Sequence, residues 1–393
     1  MSAVLSDIPK DVPHLWEQYA AWLAAEGVSR PRVTIHGGYG KNNLGDDAIL
    51  DVLLHRTLSK FPQAQVRVVC HGPERVAARY RELPNVSACH FKSLDAFKAA
   101  LTSHLYFIGG GGIVNRINVY SGRQRLRLLD MKGKYLFIAA ALARLSGART
   151  HFYAVGVNSF PDAGVKFLAR WTLRYATVVS VRDVMSLETL RALGLGREVV
   201  LVQDPALSLQ PAPAPEAERL LSRWGAPAVR RPRACINFRY VREVHVSNEA
   251  KVDLVASLVG HLIDRGFQVV FLAASQHPTE RFEDDLHFGR AVGARLGATE
   301  LFTVIEEYSE PALTMAVLCR MDVCVLERLH AVILATVAGV PVYVISYDDK
   351  VTEFVKLAGR ESQMMALETF MQQRSFGWLD ASLSQVRTAR GAS

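Results

Sequence analysis

The sequence predicts an α/β protein built from two Rossmann-like, doubly wound lobes with a cleft between them. Three observations carry that expectation. The chain has 393 residues, too many for one ordinary core and suited to two domains. Short β-branched or aromatic runs alternate with helical stretches, the pattern of a parallel sheet covered on both faces. That rhythm breaks once, at the proline-rich stretch "LQPAPAPEAERLLSRWGAPAVRRPR".

In chain order, residues 1–30 form an N-terminal helical appendage, with an amphipathic helix around Val12 to Ala25 that sets Trp16, Tyr19 and Trp22 on or near one face. Residues 31–210 form the first lobe, with strands expected at Val33–Ile35, Val66–Cys70, Leu105–Ile108, His151–Val155, Val178–Val181 and Val199–Val202. Residues 211–233 are the stiff linker, holding a short helix. Residues 234–393 form the second lobe and a C-terminal tail, with strands at Ala234–Phe238, Val269–Ala273, Thr303–Ile305, Val323–Leu326 and Val342–Ile345. In open sheets of this kind ligands sit beyond the carboxyl ends of the strands.

The composition narrows the function classes. A formal net charge of +8 and a pI of about 9.3 favour anionic partners. Nucleic acid, phosphate esters and an acidic membrane surface all fit, and the charge does not choose among them; many basic proteins bind no nucleic acid, which is not expected as a partner. The five cysteines are odd in number, form no C-x-x-C pair and sit among apolar neighbours. They read as buried thiols in a reducing cytosol, and no metal site is expected. No signal peptide is expected. The long apolar stretch His330 to Ser346 is interrupted by Pro341 and reads as helix, turn and strand rather than a membrane span. A cytoplasmic protein is expected, with peripheral contact at the inner face of a membrane left open. Oligomeric state is left open too.

Four segments carry chemistry. "HGGYGKNNLGDDAIL", His36 to Leu50, runs from a strand through glycines into a helix. Asp46 and Asp47 stand where a P-loop carries lysine and a hydroxyl residue, so a nucleotide phosphate would be repelled. Gly38, Asn42, Asn43 and a carboxylate suit a ligand bearing hydroxyls, and a tight turn with an Asp cap is the structural alternative. "YFIGGGGIVNR", Tyr106 to Arg116, offers free backbone N–H groups around Gly110, Gly111 and Asn115, or plain close packing. The basic residues Arg116, Arg123, Arg125, Arg127, Lys132 and Lys134 follow with only Asp130 opposing them, as a solvated face or an anion-receiving one.

In "VSVRDVMSLETLRALG", Asp183 reads as a helix cap, whereas Arg182 at a strand's carboxyl end calls for an anion. In "LERLHAVILATVAGVPVYVISYDDK", Arg328, His330 and Lys350 gather at the edge of the second sheet, a positive site for a small, multiply charged anion. Arg239, in "CINFRY", is a further substrate-binding candidate there.

Taken in order, "GGYGKNNLGDDAIL", "FIGGGGIVN", "VSVRDVMSLETL", "QDPAL" and "ERLHAVILATVAGVPVYVISYDDKVTEF" resemble the polysaccharide pyruvyl transferase family, over about residues 33–358. The resemblance implies two Rossmann-like lobes in a GT-B-like arrangement, and phosphoenolpyruvate as donor of a pyruvyl group to sugar hydroxyls. It places the family's Arg-Leu-His donor signature on Arg328, Leu329 and His330, and its mid-chain arginine on Arg182. Two departures stand out. "CINFRY" lacks the glycine expected at the start of the second lobe, and the N-terminal helix lies outside the pattern.

The expected activity is therefore transfer of pyruvyl from phosphoenolpyruvate to a glycan, or to a lipid-linked or nucleotide-linked sugar precursor of a cell-envelope polysaccharide. The product would be a ketal, with phosphate released and no cofactor beyond the co-substrate. Arg328 and Arg182 are expected to meet the donor's charges, helped by Lys350. His330 would be general acid or phosphate contact, and Asp46 or Asp47 base for the acceptor. Arg328, pictured at an open edge, is expected to matter little for stability. The alternatives are a glycosyltransferase using a nucleotide sugar and a sugar-binding relative without catalysis.

Overall fold

A computed structural model describes residues 3–109, 111–114, 132–160, 163–226, 231–242, 246–277, 281–380 and 383. The chain forms two compact units. One comprises Ser6–Lys41 and Asp46–Ser208. The other runs from Leu209 onward and also takes in Asn42–Gly45 and the first residues up to Leu5.

The first unit holds β1 (Arg32–His36), β2 (Gln65–Cys70), β3 (Val86–His90), β4 (Leu105–Ile108), β5 (Gly112–Val114), β6 (Arg149–Val157), β7 (Val178–Val181) and β8 (Val200–Leu201). Its sheet runs β3-β2-β1-β4-β6-β7-β8, with β5 paired to β6 off that path. The second unit holds β9 (Arg233–Asn237), β10 (Gln268–Leu272), β11 (Phe302–Ile305), β12 (Val323–Leu326), β13 (Val342–Ser346) and β14 (Met364–Ala366), in the order β11-β10-β9-β12-β13-β14. Every pairing between these strands is parallel. Both sheets thus start in the middle, wind to one edge, and return to wind to the other, the order of a dinucleotide-binding fold. The direction of winding reverses between β1 and β4 in the first sheet and between β9 and β12 in the second. The carboxyl ends of those four strands are where such sheets bind ligands.

Burial explains which strands the sequence announces. β4, β9, β10 and β12 are buried at every position; β4 and β12 read as unbroken apolar runs, while Arg233 and Asn237 bound the apolar run of β9 and Gln268 opens that of β10. β3 and β14 are largely part-exposed, and β5 has three residues among glycines. None of these three stands out from periodicity. The N-terminal helix Leu15–Ala25 sends Leu15, Tyr19 and Leu23 into the first core, where Trp16 stacks on Phe107 with ring centroids 5.5 Å apart. Its aromatic face is therefore structural packing.

His36, the last residue of β1, is buried with its Nδ1 2.8 Å from the Tyr106 hydroxyl. Burial pushes its pKa down to about 4. His151 in β6 is pushed down to about 3, chiefly by burial and then by the Arg197 charge. Both rings are therefore neutral in the folded state at pH 7. In the unfolded chain they titrate near 6.5, so their contribution is full above that pH and is lost as the pH falls toward 4 and then 3. For His36 alone the loss at pH 4.5 should be about 2–3 kcal/mol. Denaturant midpoints measured from pH 7 to pH 4.5 should fall, and His36→Gln should flatten the slope. An unchanged slope in that variant would clear His36 of the effect.

Candidate functional site

The second unit's switch point is built on a hydrogen-bonded frame. β12 ends at Leu326, and Arg328 occupies the N-cap position of the helix Leu329–Val337. The Arg328 N–H donates to Asn237 Oδ1 at 3.0 Å. Its guanidinium grips Asp285, with Nε donating to Oδ1 at 3.0 Å and Nη2 to the same oxygen at 2.6 Å. Asp285 is completely buried, and Arg328 is only 14% exposed. Asp285 Oδ2 also accepts from Asn237 Nδ2 at 3.1 Å and from the Ser275 N–H at 3.2 Å. Burial, the largest single influence, would lower the Arg328 pKa, but the Asp285 charge, Tyr347, the hydrogen bonds to Asp285 and the Glu327 charge together outweigh it and raise it, so the guanidinium stays protonated.

Arg328 is thus no free cation at an open edge, as the sequence suggests. It closes a buried ion pair whose loss destabilises the fold. Its Nη1, among the described residues, makes no hydrogen bond and remains a donor for a ligand.

Behind this frame Lys251 Nζ lies 2.6 Å from Glu327 Oε1, with both side chains fully buried. Lys251 also donates to the Arg239 carbonyl at 2.8 Å, while the Arg239 N–H donates to Glu327 Oε2 at 3.0 Å. The pair therefore clamps the Arg239 backbone from both sides. The Arg239 guanidinium donates to the Phe282 carbonyl at 2.7 Å, the Tyr240 carbonyl at 3.2 Å and the Tyr347 hydroxyl at 3.2 Å. It also lies over the Tyr347 ring, 5.1 Å from the centroid. Among the described residues its partners are all neutral, so its charge is open to an anion.

Within this unit the glycine-rich turn meets its neighbour. The Leu44 N–H donates to the Ala274 carbonyl at 2.9 Å, the Gln276 N–H to the Asn42 carbonyl at 3.0 Å, and Asn43 bridges Ser275. Asn42 takes a left-handed backbone conformation, φ 54°, which Asn tolerates well. Asn43 Oδ1 accepts the Gly45 N–H at 3.0 Å. The imidazole of His330 lies against Gly45 so closely that a Cβ there would fall 2.0 Å from Nδ1. Close approach to His330 is what requires glycine at this point of the turn.

In the first unit the two aspartates that follow have separate surroundings. Asp47 is buried, accepts the Gly40 N–H at 3.5 Å, and lies 3.8 Å from Arg79 Nη1. Arg79 also pairs with Asp51, which accepts the Tyr80 hydroxyl at 2.5 Å. Asp46 is half-buried and faces Gly38 and Gly111. A Cβ on Gly111 would fall 2.0 Å from Asp46 Oδ1, and φ there is +64°, so both space and backbone demand glycine.

Arg182 has found its anion inside the protein. Its Nη1 donates to Asp204 Oδ2 at 2.8 Å, with both side chains about 5% exposed. Asp204 belongs to "QDPAL", whose turn it ties by accepting the Ala206 N–H at 2.9 Å. Asp183 caps the next helix through the Ser186 N–H at 2.7 Å. Lys350 lies in the first turn of the helix Asp349–Leu357, after β13, its N–H donating to the Asp348 cap at 2.9 Å. Gly110, Asn115, Arg116, Arg123, Arg125 and Arg127 lie outside the described residues, as does the side chain of Lys132.

Sequence reasoning missed Lys251, Asp285, Asp204 and Asn237. A lysine in step with Val255 and Leu258 on the buried face of the helix Asn248–Asp264 was the one available signal, because a cation on a core face needs a partner.

Residues 43–349 match the family model described as polysaccharide pyruvyl transferase. The chain belongs to that family. Membership makes it a transferase of polysaccharide biosynthesis. Among curated proteins none matches this sequence. Solved structures match in fold. The UDP-GlcNAc 2-epimerase from Neisseria meningitidis bound to UDP-GlcNAc is 12% identical, with 90% of this chain and 93% of that one covered and a TM-score of 0.55. The UDP-GlcNAc 2-epimerase from Methanocaldococcus jannaschii is 11% identical, over 91% and 92%, with a TM-score of 0.54. HepE from Anabaena, in complex with UDP and glucose, is 10% identical over 93% and 100%, with a TM-score of 0.50. At these identities the likeness concerns the fold, and it supports the GT-B-like class for this pyruvyl transferase family member.

Proposed function

We propose that the protein transfers the pyruvyl group of phosphoenolpyruvate to hydroxyls of a glycan or a linked sugar precursor, forming a ketal and releasing phosphate. One observation carries this reading. The histidine of the family's Arg-Leu-His motif packs on Gly45, and the next residue in the chain is the half-buried carboxylate Asp46. A potential acid is thereby fixed by its contact with Gly45 within its own unit.

In this scheme Arg239 and the Nη1 of Arg328 receive the donor's phosphate and carboxylate, with Lys350 assisting. Arg182 is already matched by Asp204 and supports the fold around it. His330 delivers a proton to the methylene carbon, leaving an oxocarbenium-like centre at C2. A sugar hydroxyl attacks C2 as Asp46 takes its proton. The C2–O bond to phosphate then breaks, and a neighbouring hydroxyl attacks to close the ketal. Of the two hydroxyl protons released, one replaces the proton used at the methylene carbon and the other leaves on phosphate. Asp47, held by Arg79 and the Gly40 N–H, positions the loop.

The test is a melting-temperature shift with phosphoenolpyruvate set against nucleotide sugars, followed by phosphate release with glycan, nucleotide-linked and lipid-linked acceptors. Phosphoenolpyruvate should give the shift. Arg239→Ala should weaken donor binding about 10- to 150-fold, the worth of a hydrogen bond to a charged group. Asp46→Asn should keep the donor shift and lower turnover about 10²–10⁴-fold. A shift with nucleotide sugars alone would replace this reading with a glycosyltransferase.

A further inference from the structure

The helix Ala163–Tyr175 in the first unit carries two parallel rows that no step of the transfer uses. Lys166, Arg170 and Arg174 are spaced four residues apart, and so are Phe167, Trp171 and Tyr175. At 3.6 residues per turn each set forms a stripe along the helix, the two stripes lying side by side. Val165, Ala169, Thr172 and Leu173 face the core. All three cations are exposed, with Phe167 69% and Tyr175 51% exposed and Trp171 half-buried. Trp171 and Tyr175 lie against each other, ring centroids 5.3 Å apart. Leu145, the last residue of the helix Lys132–Leu145, is 72% exposed. It follows Arg144, whose Nε donates to the Tyr175 carbonyl at 2.9 Å.

The helix has no aspartate or glutamate. Among the described residues no carboxylate lies within ion-pair distance of Lys166, Arg170 or Arg174, and the only hydrogen bond among these three runs from Arg170 to the Gly194 carbonyl, at 3.5 Å. A solvated face would mix both signs of charge and would not expose a phenylalanine beside a tryptophan and a tyrosine.

We infer that this helix lies on an anionic lipid bilayer, with its cations among the headgroups and Phe167, Trp171, Tyr175 and Leu145 at the boundary with the acyl chains. The charge complementarity selects the occupant: three unpaired cations in a chain of net charge +8 attract a negative surface, and the aromatic row matches the interface depth that tryptophan and tyrosine favour. The contact is peripheral, since no helix among the described residues is long and apolar enough to cross a membrane. It does not depend on the donor, so a protein that failed to bind phosphoenolpyruvate would still dock.

Co-sedimentation of the full chain with vesicles of phosphatidylglycerol and phosphatidylcholine, and with phosphatidylcholine alone, tests this. Wild-type protein should sediment with the anionic vesicles at low salt and be released as salt rises. Replacing Lys166, Arg170 and Arg174 together by Gln should lower partitioning about 100-fold, at about fivefold per cation near an anionic surface. Phe167→Ser with Tyr175→Ser should weaken it further. Unfolding midpoints of these exposed-site variants should match wild type, which separates docking from misfolding. Three results would overturn the inference: no sedimentation of wild type at low salt, loss only when Arg123, Arg125 and Arg127 are replaced, or aromatic variants that change the oligomeric state and leave vesicle binding intact.

Discussion

Lys251→Met is expected to cost about 3–5 kcal/mol of stability, the usual consequence of removing one partner from a buried ion pair. The methionine fills much of the lysine's volume, so the loss should be electrostatic rather than a cavity effect. Glu327 would be left fully buried with its Oε1 unpaired and only the Arg239 N–H on Oε2. The Arg239 carbonyl would lose its donor too. Replacing both members, Lys251→Met with Glu327→Leu, should recover most of the stability, since a hydrophobic pair of similar volume is often as good as the ion pair. Donor binding should stay impaired in that double variant, because nothing then clamps the backbone that carries the Arg239 guanidinium. Denaturant unfolding of the two single variants and the double variant gives the coupling directly. A single variant as stable as wild type would mean that the pair is not charged and buried as described.

Residues of this frame show what the sequence could disclose. Glu327 and Arg328 are adjacent within a motif, so their place at the end of a buried strand was legible from the apolar run Val323–Leu326 and the helix pattern after it. Their partners were not. Asp285 lies 43 residues from Arg328, Lys251 lies 76 from Glu327, and Asp204 lies 22 from Arg182. Periodicity reports which face of an element is buried and is silent on which element packs there. For that reason two arginines that read as donor contacts in the sequence proved to have carboxylate partners inside the protein. Strand order had the same limit: the run of βα units was visible, but the reversal between β1 and β4, and between β9 and β12, is a fact of pairing. The glycines fared better, since a strand running into several of them signalled close approach even though the group approached lay far along the chain.

Gly45→Ala sets two opposed effects against each other at that point of approach. Gly45 lies in the first turn of the helix Leu44–Lys60 and its φ is not in the left-handed region. Helix propensity alone would make alanine stabilising there by about 1 kcal/mol. The added Cβ, however, would fall 2.0 Å from His330 Nδ1 and 2.3 Å from Cε1, a separation no carbon and nitrogen can hold. The helix backbone at Gly45 is tied by Asn43 Oδ1 and by the Leu44 bond to Ala274, so the ring must turn away. Overpacking of this kind costs about 1–3 kcal/mol, which cancels or exceeds the propensity gain. In the proposed reaction the larger effect should fall on turnover: moving its proton donor by about 1 Å lowers rates on the order of 100-fold. Binding of phosphoenolpyruvate, proposed above to run through Arg239, should change little. Combining Gly45→Ala with His330→Ala removes the clash, so stability should rise above that of Gly45→Ala while turnover stays at the level of His330→Ala alone. Full turnover in Gly45→Ala would show that the placement of the His330 ring against this glycine has no part in the reaction.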